Sequence, residues 1–354
     1  MEIFFSAKNI GERGKGLTFN DVLLVPRHGD ISSRRDPSLE TKVTKNYSLG
    51  TPFISANMDT VTESEMALAM AKRGGLGILH RFMDPKEQVE QVKKIREGLS
   101  TLEHSLPLAA SIGVKEDGKL RADLLADAGV EILTIDIAHG DSVMMLEILD
   151  HVKKKYPKID IIAGNVATTD ATRRLIEHGA DAVKVGIGPG SMCTTRIITG
   201  HGVPQLTAVA LCALEASKFK VPVIADGGLK NSGDVVKALS AGASTVMVGS
   251  LVAGTLETPG EMKSGKKRYR GMASKDAQVS WRGDLPKGMV AEGEATEIPC
   301  KGSVHHIIEE LEGGLRSGMT YMGAMDIKSM VEKAQFVEMS GAGLYESRPH
   351  GLNF

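Results

Sequence analysis

Residues 221–250 read VPVIADGGLKNSGDVVKALSAGASTVMVGS, and this stretch decides the fold. A β-branched apolar run, Val221 to Gly227, ends in Asp-Gly-Gly. Asp234 to Ala241 then carries apolar residues at helical spacing, Gly242 marks that helix's end, and a second apolar run follows from Thr245 to Ser250. Strand, helix, strand with one short connection on each side is a parallel βα unit. The same unit recurs upstream, with runs at Pro52 to Met58, Leu76 to His80, Pro107 to Val114, Ile132 to Ala138, Ile159 to Val166 and Ala182 to Gly188. Helical patterns such as Ser64 to Arg73, Ser142 to Lys155 and Asp170 to His178 lie between them, and glycines 74, 129, 179 and 242 stand where helices hand over to strands. Eight units predict a closed (β/α)8 barrel, an α/β fold, rather than an open doubly wound sheet. The Gly-x-Gly-x-x-Gly turn that such a sheet needs after its first strand is absent. We expect one barrel domain over residues 1–354.

Residues 261–302 break the rhythm with a run of Lys and Arg, Trp281, prolines and glycines, and no sustained period. We read them as a mobile active-site flap. Helical spacing resumes at Ser303 to Leu315 and Lys328 to Gln335, and 340–354 reads as a polar tail.

Composition narrows the function. Forty-three basic residues against 44 acidic ones give a net charge of −1, so no global field recruits nucleic acid or an anionic membrane. Any anion recognition is local. With no leader pattern and no long apolar run, we expect a cytoplasmic protein. Its three cysteines, Cys193, Cys212 and Cys300, have neither disulfide nor zinc spacing.

In a barrel the chemistry sits where strands end. Strand four ends in Asp136, strand five in Gly164-Asn165, and strand six in GIGPGSMCTTR at 186–196. Strand seven ends in Asp226-Gly227-Gly228 and strand eight in Gly249-Ser250. Backbone N–H groups at the last two, with Ser191 and Ser250, suit a phosphate; the plainer alternative is a pair of tight turns. Asp226 offers two acceptor oxygens to a ribose diol, or else caps a helix. Cys193, in a loop of poor core formers, suits a thiolate that attacks an electrophilic carbon, whereas Cys212 reads as a core residue.

GIGPGSMCTTR, ADGG at 225–228, Gly249-Ser250, YRGM at 269–272 and SANMDTVT at 55–62 together resemble the inosine monophosphate dehydrogenase and guanosine monophosphate reductase superfamily, over nearly the whole chain. The resemblance implies that Cys193 adds to C2 of a purine nucleoside monophosphate, GMP or IMP, and that a nicotinamide cofactor exchanges hydride there. It implies a phosphate cradle of Ser191, Gly228, Gly249, Ser250 and Tyr269, with Gly227 beside it. Ribose contacts fall to Asp226, base contacts to Gly271 and Met272, and the cofactor side to Asp136, Ala138 and Asn165. It also implies a potassium site at the carbonyls of Gly188, Gly190 and Cys193, with Glu346 from a neighbouring subunit of a homotetramer.

The two branches part in the flap. The chain has no Arg-Tyr pair of the dehydrogenase kind there: Arg268-Tyr269 matches the phosphate-contacting tyrosine, and Trp281-Arg282-Gly283 is a poor substitute. AEGEATEIP at 291–299 resembles the reductase glutamate segment and sets Glu292 opposite Thr195. GAGLYESRPH at 341–350 and TGHGVPQ at 199–205 are dehydrogenase-like, and the paired CBS regulatory insertion is missing between Arg81 and Pro107. Giving the flap the greater weight predicts an NADPH-dependent GMP reductase with Cys193, Thr195 and Glu292 as catalytic residues. The alternatives are an NAD-dependent IMP dehydrogenase without the regulatory domain, or a nucleotide sensor that has lost catalysis.

Overall fold

The structure, a computed structural model, describes residues 3–102, 106–284 and 287–349. The expected tail therefore extends beyond the described residues at 350–354, and the flap includes two residues outside them, Leu285 and Pro286.

Eight parallel strands close into a barrel, as the sequence predicts. They are β1 (Phe53–Ser55), β2 (Leu76–Leu79), β3 (Ala109–Ile112), β4 (Ile132–Asp136), β5 (Asp160–Val166), β6 (Ala182–Val185), β7 (Val223–Asp226) and β8 (Thr245–Val248). Pairing follows chain order, and β8 closes on β1 with Val246 opposite Phe53 and Val248 opposite Ser55. Covered on both faces, these strands read as apolar runs rather than alternations. Their side chains, on the two faces of the barrel wall, join one buried apolar core that includes Phe53, Ile54, Ile78, Ile135, Ile162, Val183, Ile224 and Val246.

The surrounding helices start where the sequence offers caps. The Ser142 hydroxyl accepts from the Met145 N–H, Thr168 from Ala171, and Asn231 from Asp234. Glycines 74, 129, 179 and 242 all take positive φ, between 74° and 111°, at the helix-to-strand turns. Two further helices, Pro85–Leu99 and Glu116–Asp127, complete the ring on one side, and Gln205–Ser217 buries Cys212. Burial pushes the Cys212 thiol up to about 11, the state of an inert core thiol.

One irregularity matters for the site. The β5–β6 ladder slips between Lys184 and Val185: Lys184 pairs with Gly164 and Val185 with Val166, so Asn165 has no partner in the ladder. A bulge of this kind re-aims a side chain, here at the strands' C-terminal end.

Residues 261–302 are not an unstructured excursion. Lys266–Arg270 and Ala295–Pro299 pair as antiparallel strands, and the helix Lys275–Arg282 lies between them. Near the termini, Phe4–Phe5, Phe336–Glu338 and Val22–Leu24 form a three-stranded sheet, and Gly341–Glu346 is a short helix within the expected tail. Among the described residues, no helix is long and apolar enough to cross a membrane.

Candidate active site

The strand ends converge on two clefts that share a wall. One, of about 790 Å³, is bounded by Ser191, Asp226, Gly227, Gly228, Gly249, Ser250, Tyr269, Gly271 and Met272. The other, of about 1050 Å³, is bounded by Asn57, Arg81, Phe82, Asp136, Ala138, Asn165 and Lys184. Cys193 and Thr195 border both. The residues singled out for the nucleotide all line the first cleft and those singled out for the cofactor all line the second, while Asp226, Gly227, Met272 and Ala138 border both.

Cys193 sits in a linear relay. Its thiol donates to Thr195 Oγ1 at 3.1 Å, and that hydroxyl donates to Glu292 Oε2 at 2.8 Å. The flap reaches this position through its backbone. The Thr194 N–H donates to the Glu292 carbonyl (3.0 Å) and the Glu294 N–H to the Met192 carbonyl (2.9 Å), so that Cys193 faces Gly293 in an antiparallel bridge. On its other side, the Glu292 N–H donates to the Ala273 carbonyl and the Gly271 N–H to the Glu294 carbonyl. Gly293 is thus clamped between two chains: a Cβ there would stand 3.1 Å from both Met192 O and Ser274 N.

In the glycine-lined cleft, Ser191 Oγ and the Tyr269 hydroxyl share a hydrogen bond of 3.1 Å. Burial and the nearby Asp226 push the Tyr269 phenol up, which keeps it protonated and able to donate. Gly227 and Gly228 both take positive φ (91° and 81°), where a side chain would be strained, and bring bare backbone to the cleft.

Sequence reasoning passed over Lys184. It is 2% exposed in the middle of an apolar strand, and its ammonium bridges Asp136 Oδ1 (2.7 Å) and Asp226 Oδ2 (2.6 Å) while donating to Asn165 Oδ1. Asn165, turned inward by the bulge, donates to the Gly186 carbonyl (2.8 Å) and Asp226 Oδ2 (2.9 Å), and Asn57 donates to Asp136 Oδ2 (3.0 Å). Burial would lower the Lys184 ammonium's pKa, but the two carboxylates outweigh it and raise it. Burial would likewise raise the Asp136 carboxyl, yet Lys184, with Arg81 and Asn57, holds it below the ordinary range. A lysine among core valines was the available signal, since lysine is almost never fully buried unless paired. The helix-cap alternative for Asp226 fails, because the following helix is capped by Asn231. With Oδ2 taken by Lys184 and Asn165, Oδ1 is the oxygen left for a ligand hydroxyl.

Of the residues assigned to a cation, Gly188 and Gly190 lie in the cysteine loop, where the Gly190 carbonyl accepts the Cys193 N–H at 3.1 Å. Glu346 is exposed at the end of the tail helix.

A family model described as the IMP dehydrogenase / GMP reductase domain matches residues 16–350. The chain belongs to this family. Among its relatives, inosine-5′-monophosphate dehydrogenase of Cryptosporidium parvum is 44% identical, over 98% of this chain and 96% of that one. Inosine-5′-monophosphate dehydrogenase of Nitrosopumilus maritimus is 37% identical, over 96% of this chain and 98% of that one. A crystal structure of a Trypanosoma brucei GMP reductase in complex with guanosine 5′-monophosphate superposes with a TM-score of 0.88 at 33% identity, covering 97% of this chain and 99% of that one.

These relatives overturn the reductase expectation. The full-length likeness at 37–44% identity is to proteins named as dehydrogenases, while the reductase resembles this chain at 33%. The expectation rested on one short flap segment: a carboxylate hydrogen-bonded to a hydroxyl beside a thiol is a geometry suited to proton transfer in general, and by itself it does not specify a reaction. A missing Arg-Tyr pair is a local feature of one loop and carries less weight than the rest of the chain. The NADPH dependence argued from the reductase reading falls with it.

Proposed function

We propose that the protein is an IMP dehydrogenase that oxidises inosine 5′-monophosphate at C2 to xanthosine 5′-monophosphate with NAD. The observation that carries the choice of branch is the near full-length likeness to dehydrogenases at 37–44% identity, and the Cys193–Thr195–Glu292 hydrogen-bond chain at the junction of the two clefts is where we put the chemistry. The glycine-lined cleft takes the nucleotide. The phosphate meets the N–H groups of Gly228, Gly249 and Ser250 and the hydroxyls of Ser191 and Tyr269, the ribose meets Asp226, and the base lies along Gly271 and Met272.

Cys193 gives its proton to Thr195, which passes its own to Glu292, and the sulfur adds to C2. Bound in the adjoining cleft, beside Asp136, Ala138 and Asn165, NAD supplies the hydride acceptor. Fit favours this, because that cleft opens on the Cys193 side chain and is lined by polar groups that Lys184 holds in place. In the second half, once Glu292 has released that first proton to solvent, water adds at C2 and the Cys193 sulfur leaves as the thiolate. Thr195 and Glu292 are the groups placed to take the water's proton, since the flap has no Arg-Tyr pair beyond Arg268-Tyr269, which we assign to the phosphate.

The carbonyls of Gly188, Gly190 and Cys193, joined by Glu346 of a neighbour in a homotetramer, are our assignment for a potassium ion. A carbonyl oxygen has two lone pairs, so Gly190 can hold both its turn bond and an ion. The Nitrosopumilus alignment spans 470 positions against the 354 residues here, in keeping with our reading of a barrel that lacks the regulatory insertion.

Incubation with IMP and NAD, followed by NADH absorbance and nucleotide chromatography, tests the reading. NADH and xanthosine monophosphate in equal amounts are expected, and their absence from folded protein overturns it.

A further inference from the structure

We propose that Arg270 is a positioning residue that locks the purine-facing turn Gly271–Met272 and the flap helix Lys275–Arg282 onto the barrel as one body, so that both clefts take their shape from a single ionic clasp. The inference rests on the reading of the two clefts given above.

Arg270 closes the flap strand just before the turn. Its guanidinium reaches in two directions. Nε and Nη2 donate to Asp59 Oδ2, at 3.0 and 2.5 Å, in the loop after β1, and Nη1 donates to Asp276 Oδ2 at 2.6 Å in the flap helix. The Arg270 and Asp59 side chains are only 13% and 8% exposed. A planar fork of donors can serve two carboxylates at once, which a lysine's point charge does poorly.

The same three elements meet a second time around Met272. The Asp59 N–H donates to Met272 Sδ (3.3 Å), and Gln278 Nε2 donates to the Met272 carbonyl (2.8 Å). Met58, next to Asp59, lines both clefts, and Gln278 lines the cofactor-side cleft. One turn on from Gln278, Trp281 stacks on Phe82 of that cleft, with ring centroids 5.8 Å apart. The flap helix is thus held by the clasp at its start and by an aromatic stack at its end, and the turn lies in between. Loosening the clasp should disturb both ligands together. Arg268 also pairs with Asp276, but it is 57% exposed and touches neither the turn nor the barrel loop through that bond, so it serves as the control.

The test compares Arg270→Gln, Arg270→Lys, Asp59→Asn and Arg268→Gln. KM for IMP and for NAD is measured alongside protection of Cys193 from iodoacetamide by IMP or GMP, read by peptide mass spectrometry. For Arg270→Gln and Asp59→Asn we expect both KM values to rise by about tenfold or more, and nucleotide protection of Cys193 to weaken in step, since a buried pair has been broken. Arg270→Lys should recover only part of this, and Arg268→Gln should stay within about threefold of the parent. If Arg270→Gln does not fold, Arg270→Lys and Asp59→Asn carry the same comparison. The proposal is overturned if only one ligand's KM moves, if kcat alone falls while protection is unchanged, or if Arg268→Gln matches Arg270→Gln. Protection is read without turnover. A parent protein that nucleotide protects but that does not oxidise IMP would therefore refute the proposed function and leave the clasp standing, whereas a parent that neither nucleotide protects would refute the clasp as well.

Discussion

Replacing Lys184 with methionine keeps an unbranched side chain only one atom shorter and removes its charge, leaving Asp136 and Asp226 facing each other without their cation. Removing one partner of a buried ion pair costs about 3–5 kcal/mol. Asp136 and Asp226 retain 25% and 21% of their side-chain exposure, so solvent relieves part of the loss and the lower end, about 3 kcal/mol, applies. At about 2.1 cal/mol/K of unfolding entropy per residue, a chain of 354 residues then melts roughly 4 °C lower.

The penalty should depend on pH in a definite direction. In the parent, Asp136 is held below the ordinary carboxylate range. Its contribution is therefore present above the unfolded-state pKa and lost as pH falls through the folded-state one. In the variant, burial acts without the ammonium, the carboxyl rises, and protonation relieves the repulsion. The gap in Tm should accordingly be widest near neutrality and shrink as pH falls to about 4, the ordinary carboxylate range. Lys184 is shifted upward, so the pair's stability persists on the alkaline side until pH passes that raised value. Thermal melts of ligand-free protein at the two pH values make the measurement. A gap that is the same at both, or a variant that melts with the parent at neutrality, would refute the electrostatic argument.

Three further outcomes follow from the site. Cys193→Ala should bind IMP with little change by calorimetry and show no turnover; undiminished NADH formation would remove the nucleophile assignment. Glu292→Gln should lower kcat by about 10² to 10⁴ while IMP binding holds, because it removes the proton acceptor at the end of the relay; equal losses in binding and rate would mark a structural glutamate. Tyr269→Phe deletes the partner of Ser191 and one phosphate donor, so KM for IMP should rise by about 2- to 12-fold, the equivalent of one hydrogen bond, with kcat nearly unchanged.

The barrel was legible because its signal is repeated. Each of eight strands is a buried apolar run, and four handovers carry a glycine, so local errors average out. Flap structure was not legible, because KKRYR at 266–270 and ATEIP at 295–299 are short, polar strands whose only evidence is each other, separated by a helix. The strand-end residues that line the two clefts were singled out by position in the fold. Lys184 was missed although its strand, AVKV, advertised a charge in the core, and Arg270 was missed because a clasp between loops has no periodicity. The choice of branch failed for a different reason. It rested on Glu292 and on an absent dipeptide, two local features of one loop, which weigh less than the likeness of nearly the whole chain.

The way the flap is attached also bears on redesign. Because two main-chain bonds register Glu292 and Glu294 against the cysteine loop, the place of Glu292 beside Cys193 is set by backbone rather than by the side chains of the preceding loop. Residues 283–291 can then be treated as an exchangeable cassette. Grafts of different length or sequence, including one that restores an Arg-Tyr pair, should alter water handling while the relay keeps its alignment.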